Sequence, residues 1–438
     1  MTSEAATKHK RVVSGMRPTG RLHIGHYFGA LQNWVRLQND PTYDCFYFIA
    51  DWHALTSDYA DTSAVAQNTI EIATDYLASG LDPEKSIIFQ QSQVPEHAEL
   101  HLFLSMITPL GWLERVPTYK EQIENVTNKD LHTYGFLGYP CLQTADIVIY
   151  SQQGTLLFVP VGEDQVSHVE LSREIVAAFN FHYGFDVEYE KWRAEDLSGL
   201  TEALYPRGGT PIQITSASPP AHAQAPVVNR EVFRRQLREE GPINFAKRIG
   251  EKNMKYFRLS PELQEPQVML TQTPRLPGTD GRRMAKSYGN FISLSEPIDS
   301  LRNKARNMIT DPARVRRTDP GNPDVCPVFA YHNLFSTPEI IAQVNRECRT
   351  AEIGCVDCKK LMADALVKWI EPIQAKRREF ESHPQRVWDI LDDGSKRAHK
   401  IADKTMERVR EAIFGWKAAR KTSSESAASS AQKLASGD

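Results

Sequence analysis

Two histidines at the start of a predicted helix have types and spacing that could do chemistry. In VVSGMRPTGRLHIGHYFGALQNW (12–34), an apolar run enters a turn rich in glycine and proline, and a helix is predicted from about His23. The free N–H groups and positive dipole of a helix N-terminus favour phosphate binding. Gly25 leaves the backbone open to a ligand, and His23 and His26, three residues apart, could donate to phosphate oxygens. Alone, the pair also fits a solvated helix start.

A cationic loop lies about 260 residues further along the chain. The segment TDGRRMAKSYGN (279–290) places Arg282, Arg283 and Lys286 among glycines and small residues. Such a loop can close over a triphosphate, and its cations can neutralise charge that develops during phosphoryl or adenylyl transfer. Alone, it is also typical of a basic surface loop, so the pairing of the two segments is more informative than either one.

Four of the six cysteines form a cluster in the sequence. The spacing C-x21-C-x6-C-x2-C connects Cys326, Cys348, Cys355 and Cys358. In a chain without a secretory signal, clustered cysteines indicate a metal more often than disulfides. Four thiolates suit a tetrahedral zinc or a 4Fe–4S cluster, and four unrelated thiols are the alternative. Cys45 and Cys141 lie in apolar stretches and are predicted to be core residues.

The elements that must position these residues alternate between strands and helices. Buried strands are predicted for the apolar runs at 45–50, 86–92 and 155–162, and a returning strand is predicted at 267–273. Helices are predicted for the amphipathic segments at 23–38, 62–79 and 164–179. This alternation predicts an α/β fold with a doubly wound parallel sheet of the Rossmann type, and the later half of the chain reads as an α-helical C-terminal domain.

Composition excludes several classes of protein. The chain has 438 residues, a formal net charge of −3 and a pI near 6.5. Its overall charge therefore does not favour non-specific binding to nucleic acid. We find no run of 18 apolar residues and no secretory signal, which predicts a cytoplasmic protein with neither a membrane nor DNA as a partner.

The paired segments, HIGH at 23–26 and RMAKS at 283–287, resemble the double signature of class I aminoacyl-tRNA synthetases. Four longer stretches resemble the bacterial-type tryptophanyl-tRNA synthetases in order and spacing. They are SGMRPTGRLHIGHYFGAL, ADWHALT (50–56), YPCLQTADIVIY (139–150) and VPVGEDQVSHVELSRE (159–174). The resemblance spans about 12–183 and 267–420, and tyrosyl enzymes, which share the architecture, have less similar motifs.

The resemblance implies a reaction with three substrates. Tryptophan and ATP with Mg²⁺ form tryptophanyl-adenylate and pyrophosphate, and the amino acid then passes to tRNA(Trp). The tryptophan carboxylate attacks the α-phosphorus, so positioning and charge stabilisation carry the catalysis. The resemblance also implies a homodimer. A tyrosine-specific enzyme, a non-charging paralogue that binds tRNA, and a regulatory protein that senses iron or oxygen are the alternatives.

The resemblance assigns an ATP site position by position. Met16, Arg17 and Pro18 match the adenosine-contacting turn, Gly25 and His26 the phosphate-binding pair, and Gly162, Glu163 and Asp164 the ribose-binding motif. The remaining ATP-binding positions are Leu276, Arg283, Met284, Ala285, Lys286 and Ser287. His26, Arg283 and Lys286 are the predicted catalytic residues. RMAKS departs from the family pattern in an arginine for the first lysine and in Ala285, which removes a hydroxyl.

The predicted tryptophan-binding residues are Asp146, Tyr139, Gln143 and Gln165. Indole offers one donor and no acceptor, so a buried carboxylate at Asp146 would read it. Asp146 could equally accept a tyrosine hydroxyl, or be a structural carboxylate or helix N-cap. Gln143 replaces a methionine common in the family and puts an amide near the indole.

The resemblance also bears on the cysteines and on domain organisation. A subset of the family carries a 4Fe–4S cluster on nearly this spacing, which favours iron–sulfur over one Zn²⁺. The basic run upstream (Arg302, Lys304, Arg306, Arg314, Arg316 and Arg317) could contact tRNA phosphates or form a solvated helix face. The predicted domains are a disordered leader (1–10), a Rossmann catalytic domain (11–202 and 266–295), an insertion of unknown role (203–265), a helical anticodon-binding domain with the four cysteines (296–420) and a disordered tail (421–438).

Overall fold

The computed structural model describes residues 10–125, 129–184, 186–187, 230–258, 261–271 and 276–416. The predicted disordered tail, nearly all of the leader, and the first part of the insertion (203–229) lie outside the described residues. In the described part of the insertion, Arg230–Ile249 form a helix that is broken at Gly241.

A five-stranded sheet, parallel throughout, forms the centre of the molecule. Its strands are β1 (Lys10–Met16), β2 (Tyr43–Ile49), β3 (Ser86–Gln90), β4 (Leu156–Val161) and β7 (Gln267–Leu270). Their order is β3-β2-β1-β4-β7, and every neighbouring pair is parallel. The predicted doubly wound α/β sheet is therefore confirmed. A separate antiparallel pair joins β5 (Asp186–Val187) to β6 (Phe257–Arg258).

Helices occupy most of the remaining described chain. Up to β4 they are α1 (Ile24–His26), α2 (Gln32–Gln38), α3 (Asp51–Asp58), α4 (Val65–Ala78), α5 (Glu96–Ser105), α6 (Leu110–Leu113), α7 (Pro117–Asn125), α8 (Tyr134–Leu137) and α9 (Tyr139–Val148). After β4 they are α10 (Val166–Phe179), α11 (Arg230–Ile249, broken at Gly241), α12 (Ile298–Asn307), α13 (Pro327–Phe335), α14 (Pro338–Arg349), α15 (Cys355–Ser382) and α16 (Pro384–Phe414). Among the described residues, none of these helices is long and apolar enough to cross a membrane.

The predicted helix at 23–38 contains an irregular turn. Between α1 and α2, residues Tyr27–Leu31 wind as a π-helix, a wider turn that is frequent at functional sites. It directly follows the HIGH segment.

The central strands of the sheet are buried on both faces. Successive residues of β1, Val12 and Val13, are fully buried in two different hydrophobic clusters, as alternation along a strand requires. The cluster around Val12 also contains Met362 and Leu366 of α15, so the C-terminal helices share a core with the sheet.

Helix α16 lies against the outer side of β3. The N–H of Gln90 donates to Ser395 Oγ at 3.4 Å. At Gly394, a Cβ would come within 1.8 Å of the Ile88 carbonyl oxygen, so only glycine permits this approach of helix and strand backbones.

Candidate active site

A cavity of about 400 Å³ opens at the carboxyl ends of β1 and β4. These two strands lie where the strand order reverses, the place where open α/β sheets bind ligands. Its volume is within the ~300–1,000 Å³ common for small-molecule sites. Of the predicted site residues, the cavity is lined by Met16, Arg17, Gly162, Gln165, Tyr139, Gln143 and Asp146.

The HIGH segment is held tightly beside this cavity. The His23 and His26 rings lie 3.7 Å apart, and the His23 N–H donates to His26 Nδ1 at 3.2 Å. A Cβ on Gly25 would come within 2.9 Å of the His23 ring and 3.3 Å of Met284 Sδ. Gly25 therefore lets the first turn of the helix pack against both groups.

Both HIGH histidines are held neutral. Burial, with help from Lys286, lowers the pKa of His23 to about 4. Burial also lowers the pKa of His26 well below its usual value, and the His23 and Lys286 charges lower it further. Since His26 Nδ1 accepts a hydrogen bond, the neutral ring carries its proton on Nε2 and can donate from there.

The RMAKS segment lies against the turn that precedes HIGH. Lys286 Nζ donates to the carbonyls of Thr19 and Gly20 at 2.9 and 2.8 Å. Burial lowers the Lys286 pKa, while Asp75 acts to raise it. The lysine thus rests on backbone oxygens at the edge of the site.

Asn290 shapes this loop from within. Its side chain, 2% exposed, accepts from the Ala285 N–H at 2.9 Å and donates to the Arg283 carbonyl at 3.0 Å and to Asp280 at 2.7 Å. Met284 is buried beneath the loop, and Arg283 projects into solvent. The Ser287 side chain lies outside the part of the chain that the structure describes.

The other predicted ATP-binding positions lie on several elements. Gly162 directly follows β4, and Glu163 and Asp164 begin the 3₁₀ turn after it. Asp164 and Arg283 are both exposed, with 3.9 Å between Oδ2 and Nη2. Pro18 lines an adjoining cavity, and Leu276 packs against the main core. The two halves of the predicted ATP site thus meet at one end of the sheet.

Three of the predicted tryptophan-binding residues lie on one face of α9. Tyr139, Gln143 and Asp146 are spaced by four and three residues, so their side chains point the same way into the cavity. Gln165, at the start of α10, lines the opposite wall with Val161.

Asp146 is buried at the end of this face, and three side chains contact its carboxylate. His53 Nε2 lies 2.9 Å and His97 Nδ1 2.6 Å from its carboxylate oxygens, and Gln91 Nε2 donates to both oxygens at 2.7 and 2.8 Å. Burial alone would raise the Asp146 pKa, but the bonds to His53 and His97 lower it to about 2. The cavity therefore ends in a carboxylate that is permanently ionised near neutral pH.

Tyr139 belongs to a second buried polar group. Its hydroxyl lies 2.7 Å from both Thr118 Oγ1 and His168 Nε2. Burial lowers the His168 pKa, so the imidazole ring is neutral. One of its ring nitrogens can donate a hydrogen bond and the other can accept one. This group fixes the Tyr139 hydroxyl on the cavity wall.

The sequence analysis did not single out His53, Gln91, His97, Thr118, His168 or Asn290. A signal for two of them was present: His53 and Gln91 follow β2 and β3 closely, and polar residues just beyond parallel strands converge on the switch-point crevice. His97, Thr118 and His168 act through contacts distant in sequence, which spacing does not reveal, while Asn290 acts within its own loop.

The four clustered cysteines come together on the helical side of the molecule. Cys326 precedes α13, Cys348 lies near the end of α14, and Cys355 and Cys358 begin α15. All four are free thiols and half-buried. Burial raises the Cys358 pKa to about 12, and the three other cysteines contribute to this rise. Cys326, Cys348 and Cys358 pack against the hydrophobic cluster of Phe329, Val344 and Ile353.

Polar groups also surround these thiols. Arg314 Nη1 lies 3.8 Å from Cys348 Sγ, and His332 Nε2 lies 3.5 Å from Cys358 Sγ. A Cβ on Gly321 would come within 2.6 Å of Cys348 Sγ. Within the described ranges, no three His, Cys, Asp or Glu side chains are arranged to hold a single metal ion. Four neighbouring free thiols fit thiolate ligation by donor type, while their arrangement does not converge on one ion.

The basic run before the cysteines is largely engaged in internal contacts. These join Arg302 to Asp364, Lys304 to Glu296, Arg306 to Asn303, Arg314 to the Ile353 carbonyl and Arg317 to the Ala351 and Glu352 carbonyls. The Arg316 side chain is exposed. Arg314 and Arg317 therefore hold the segment between Cys348 and Cys355 in place.

The fold and the paired segments define a class I aminoacyl-tRNA synthetase, and comparison with known proteins narrows the family. The family model described as "tRNA synthetases class I (W and Y)" matches residues 5–191 and 243–371, so the chain belongs to that family. The chain is 46% identical to the tryptophan–tRNA ligase of Ralstonia nicotianae, over 92% of this chain and 98% of that protein. It is 43% identical to the tryptophan–tRNA ligase of Thermotoga maritima, with the same coverage of both chains.

Solved structures agree with this assignment. The tryptophanyl-tRNA synthetase of Campylobacter jejuni, crystallised with ADP and tryptophan, is 26% identical, with a TM-score of 0.67 over 92% of this chain and 99% of that chain.

Proposed function

We propose that this chain is a tryptophan–tRNA ligase. It activates L-tryptophan with ATP to tryptophanyl-adenylate and pyrophosphate, and transfers the amino acid to tRNA(Trp). The observation that carries the proposal is the cavity that extends from the carboxyl end of β1, beside the HIGH segment, to the buried Asp146 carboxylate. The near full-length similarity to tryptophan–tRNA ligases supports the same substrate.

Asp146 would bind the indole N–H at the end of the cavity. A carboxylate has room for about four hydrogen bonds, and three donor groups already hold this one in place. Because its pKa is about 2, Asp146 accepts and does not donate at physiological pH. An amino acid whose side-chain ring lacks an N–H or O–H donor would leave the Asp146 carboxylate without this hydrogen bond. The site would therefore bind such an amino acid poorly. The Tyr139 hydroxyl and Gln165 would orient the amino acid's other end.

The nucleotide would bind along the opening between the two signature segments. Met16, Arg17 and Pro18 would contact adenosine, Gly162, Glu163 and Asp164 the ribose, and Gly25 and His26 the phosphates. Leu276, Met284, Ala285 and Ser287 would complete the ATP site. ATP binds as its Mg²⁺ complex, as is usual for phosphoryl-transfer enzymes.

The chemistry needs little more than placement and charge. When the tryptophan carboxylate attacks the α-phosphorus, negative charge moves onto the departing pyrophosphate. His26, donating from Nε2, and the cations Arg283 and Lys286 would stabilise that charge. Since Lys286 rests on the Thr19 and Gly20 carbonyls, it reaches the phosphates by exchanging these two acceptors for phosphate oxygens.

We further propose that the four cysteines hold a 4Fe–4S cluster, with one Zn²⁺ as the alternative. The family resemblance and the four free thiols support ligation, and Cys326, Cys348 and Cys358 pack against one small hydrophobic cluster. The bound group would supply a structural cross-link between α13, α14 and α15, in the region that would read the tRNA anticodon.

Two features of the assembly complete the proposal. Leu102 and Met106 lie four residues apart on α5 and its end, with exposed fractions of 50% and 73%, and Leu110 follows at 61%. Such an apolar surface supports the homodimer that the family resemblance implies. The enzyme would act in the cytoplasm, because translation there consumes aminoacyl-tRNA.

Amino-acid-dependent exchange of pyrophosphate into ATP tests the function. Exchange that requires tryptophan, followed by charging of tRNA(Trp), is the expected result. Exchange that occurs with tyrosine but not with tryptophan would show that tyrosine is the substrate. Binding of tRNA without any exchange would indicate a non-charging paralogue. Metal analysis of protein purified without oxygen tests the cysteines: about four iron and four sulfide per chain are expected. One zinc, or neither metal, would contradict the cluster.

A further inference from the structure

Arg377, near the end of α15, is a buried cation with no direct part in the proposed chemistry. Its guanidinium is 2% exposed and forms ion pairs with Asp75 and Glu71 of α4. Its Nε also pairs with Glu381 at 2.9 Å. A charged group this deep in the protein requires such a complete set of partners.

Asp75 extends this contact to the ATP site. The Asp75 side chain is completely buried, and its second oxygen accepts from the backbone N–H of Leu22 at 2.7 Å. Leu22 directly precedes His23, the first residue of the HIGH segment. A chain of two side chains thus runs from α15 through α4 to the backbone of the phosphate-binding turn.

The backbone at Leu22 also holds the segment that follows RMAKS. The Leu22 carbonyl accepts from the Leu294 N–H at 2.9 Å, and the Ile24 N–H donates to the Ile292 carbonyl at 3.0 Å. Residues 22–24 and 292–294 therefore form a bridge between the two signature segments.

Helix α15 also contacts the 292–296 side of this bridge. Gln374, one turn before Arg377, donates to the carbonyls of Leu294 and Glu296 at 3.2 and 2.8 Å. Residues three apart share one helix face. One turn of α15 therefore holds two backbone segments. Leu22, which precedes HIGH, is held through Asp75, and the segment that follows RMAKS is held directly by Gln374.

We infer that Arg377 is a positioning residue for ATP activation, acting through Asp75 on the HIGH backbone. The inference rests on the proposed function and assigns α15 the task of fixing the spacing between HIGH and RMAKS. Displacement of about 1 Å at such a site can cost about 100-fold in rate. The tryptophan side of the cavity does not depend on the Arg377–Asp75 contact. Asp146 is held by His53, Gln91 and His97, which lie outside α15 and α4.

Arg377→Gln tests the inference in the full-length protein. It should lower kcat/KM for ATP in pyrophosphate exchange by about 10- to 100-fold, while the tryptophan KM stays within about twofold. Arg377→Lys keeps the charge, so Asp75 is not left alone, but loses the two-pronged contact, and should show a smaller loss. Arg386→Gln, which removes an exposed ion pair to Glu379 at the end of the same helix, is the matched control and should behave as wild type.

Two outcomes would overturn the inference. One is a folded Arg377→Gln protein, or Arg377→Lys if the first does not fold, with wild-type ATP kinetics despite a lower melting temperature. The other is an equal loss for tryptophan and ATP. Hydrogen exchange of the Leu22 amide, measured without substrates, separates this question from the proposed function. The amide should lose protection in Arg377→Gln even if the wild-type protein shows no tryptophan-dependent exchange.

Discussion

Replacing Asp146 with asparagine would test the tryptophan site most directly. The carboxylate accepts from His53 at one oxygen, His97 at the other and Gln91 at both. An asparagine fits the same space, but its NH₂ group must then face a donor. Whichever way the amide turns, the variant loses at least one hydrogen bond and has no charge for the indole N–H.

The expected loss follows from these contacts. A hydrogen bond to a charged group contributes about 1.5–3 kcal/mol. Loss of the charged acceptor should therefore raise the activation free energy by about 1.5–3 kcal/mol, which lowers tryptophan kcat/KM by about 13- to 160-fold. The ATP KM should be unchanged, because the nucleotide residues lie at the other end of the cavity.

Pyrophosphate exchange at saturating ATP, with tryptophan varied, measures this loss. Asp403→Asn, at a partly exposed carboxylate that pairs with Arg410 on α16, is the matched control and should keep wild-type kinetics. Circular dichroism and a melting curve establish that each variant is folded. A folded Asp146→Asn enzyme with wild-type tryptophan kinetics would refute the assignment of Asp146 as the indole acceptor.

Three further predictions concern the loop, the fold and acid stability. Lys286→Met should lower the kcat of exchange by about 100- to 1,000-fold in steady-state assays, with an unchanged tryptophan KM; a normal kcat would exclude a role for Lys286 in charge stabilisation. Gly394→Ala should destabilise the protein by about 1–3 kcal/mol in urea unfolding, because the added methyl meets the Ile88 carbonyl; equal midpoints would contradict this packing. Since the His23 pKa falls to about 4, the unfolded state binds more protons below its usual 6.5. Stability should therefore drop by on the order of 3 kcal/mol from pH 6.5 to 4, and His23→Gln should flatten that slope.

The sequence predicted the parts of the site that depend on local pattern. Strand and helix periodicity predicted the parallel sheet, and the HIGH and RMAKS segments indicated the two sides of a nucleotide site. Tyr139, Gln143 and Asp146 were assigned from the family resemblance, and they lie on one face of α9. The roles assigned to these residues stay predictions until variants are measured.

The remainder depended on contacts that spacing does not encode. Asp146 and its partner His97 are 49 residues apart, and Arg377 lies 302 residues from Asp75. Such pairs depend on how helices pack against the sheet. The four cysteines show the same limit: their spacing predicts ligation, but the distances among them depend on how α13, α14 and α15 meet.

The close approach of α16 to β3 has a consequence for how the chain is made. β3 is an edge strand, and edge strands with free backbone groups pair readily with other chains. The helix that covers this edge is encoded 305 residues after it, as the Gln90–Ser395 contact shows. During synthesis the edge therefore stays uncovered until α16 has emerged from the ribosome, and truncation before α16 should yield aggregating protein.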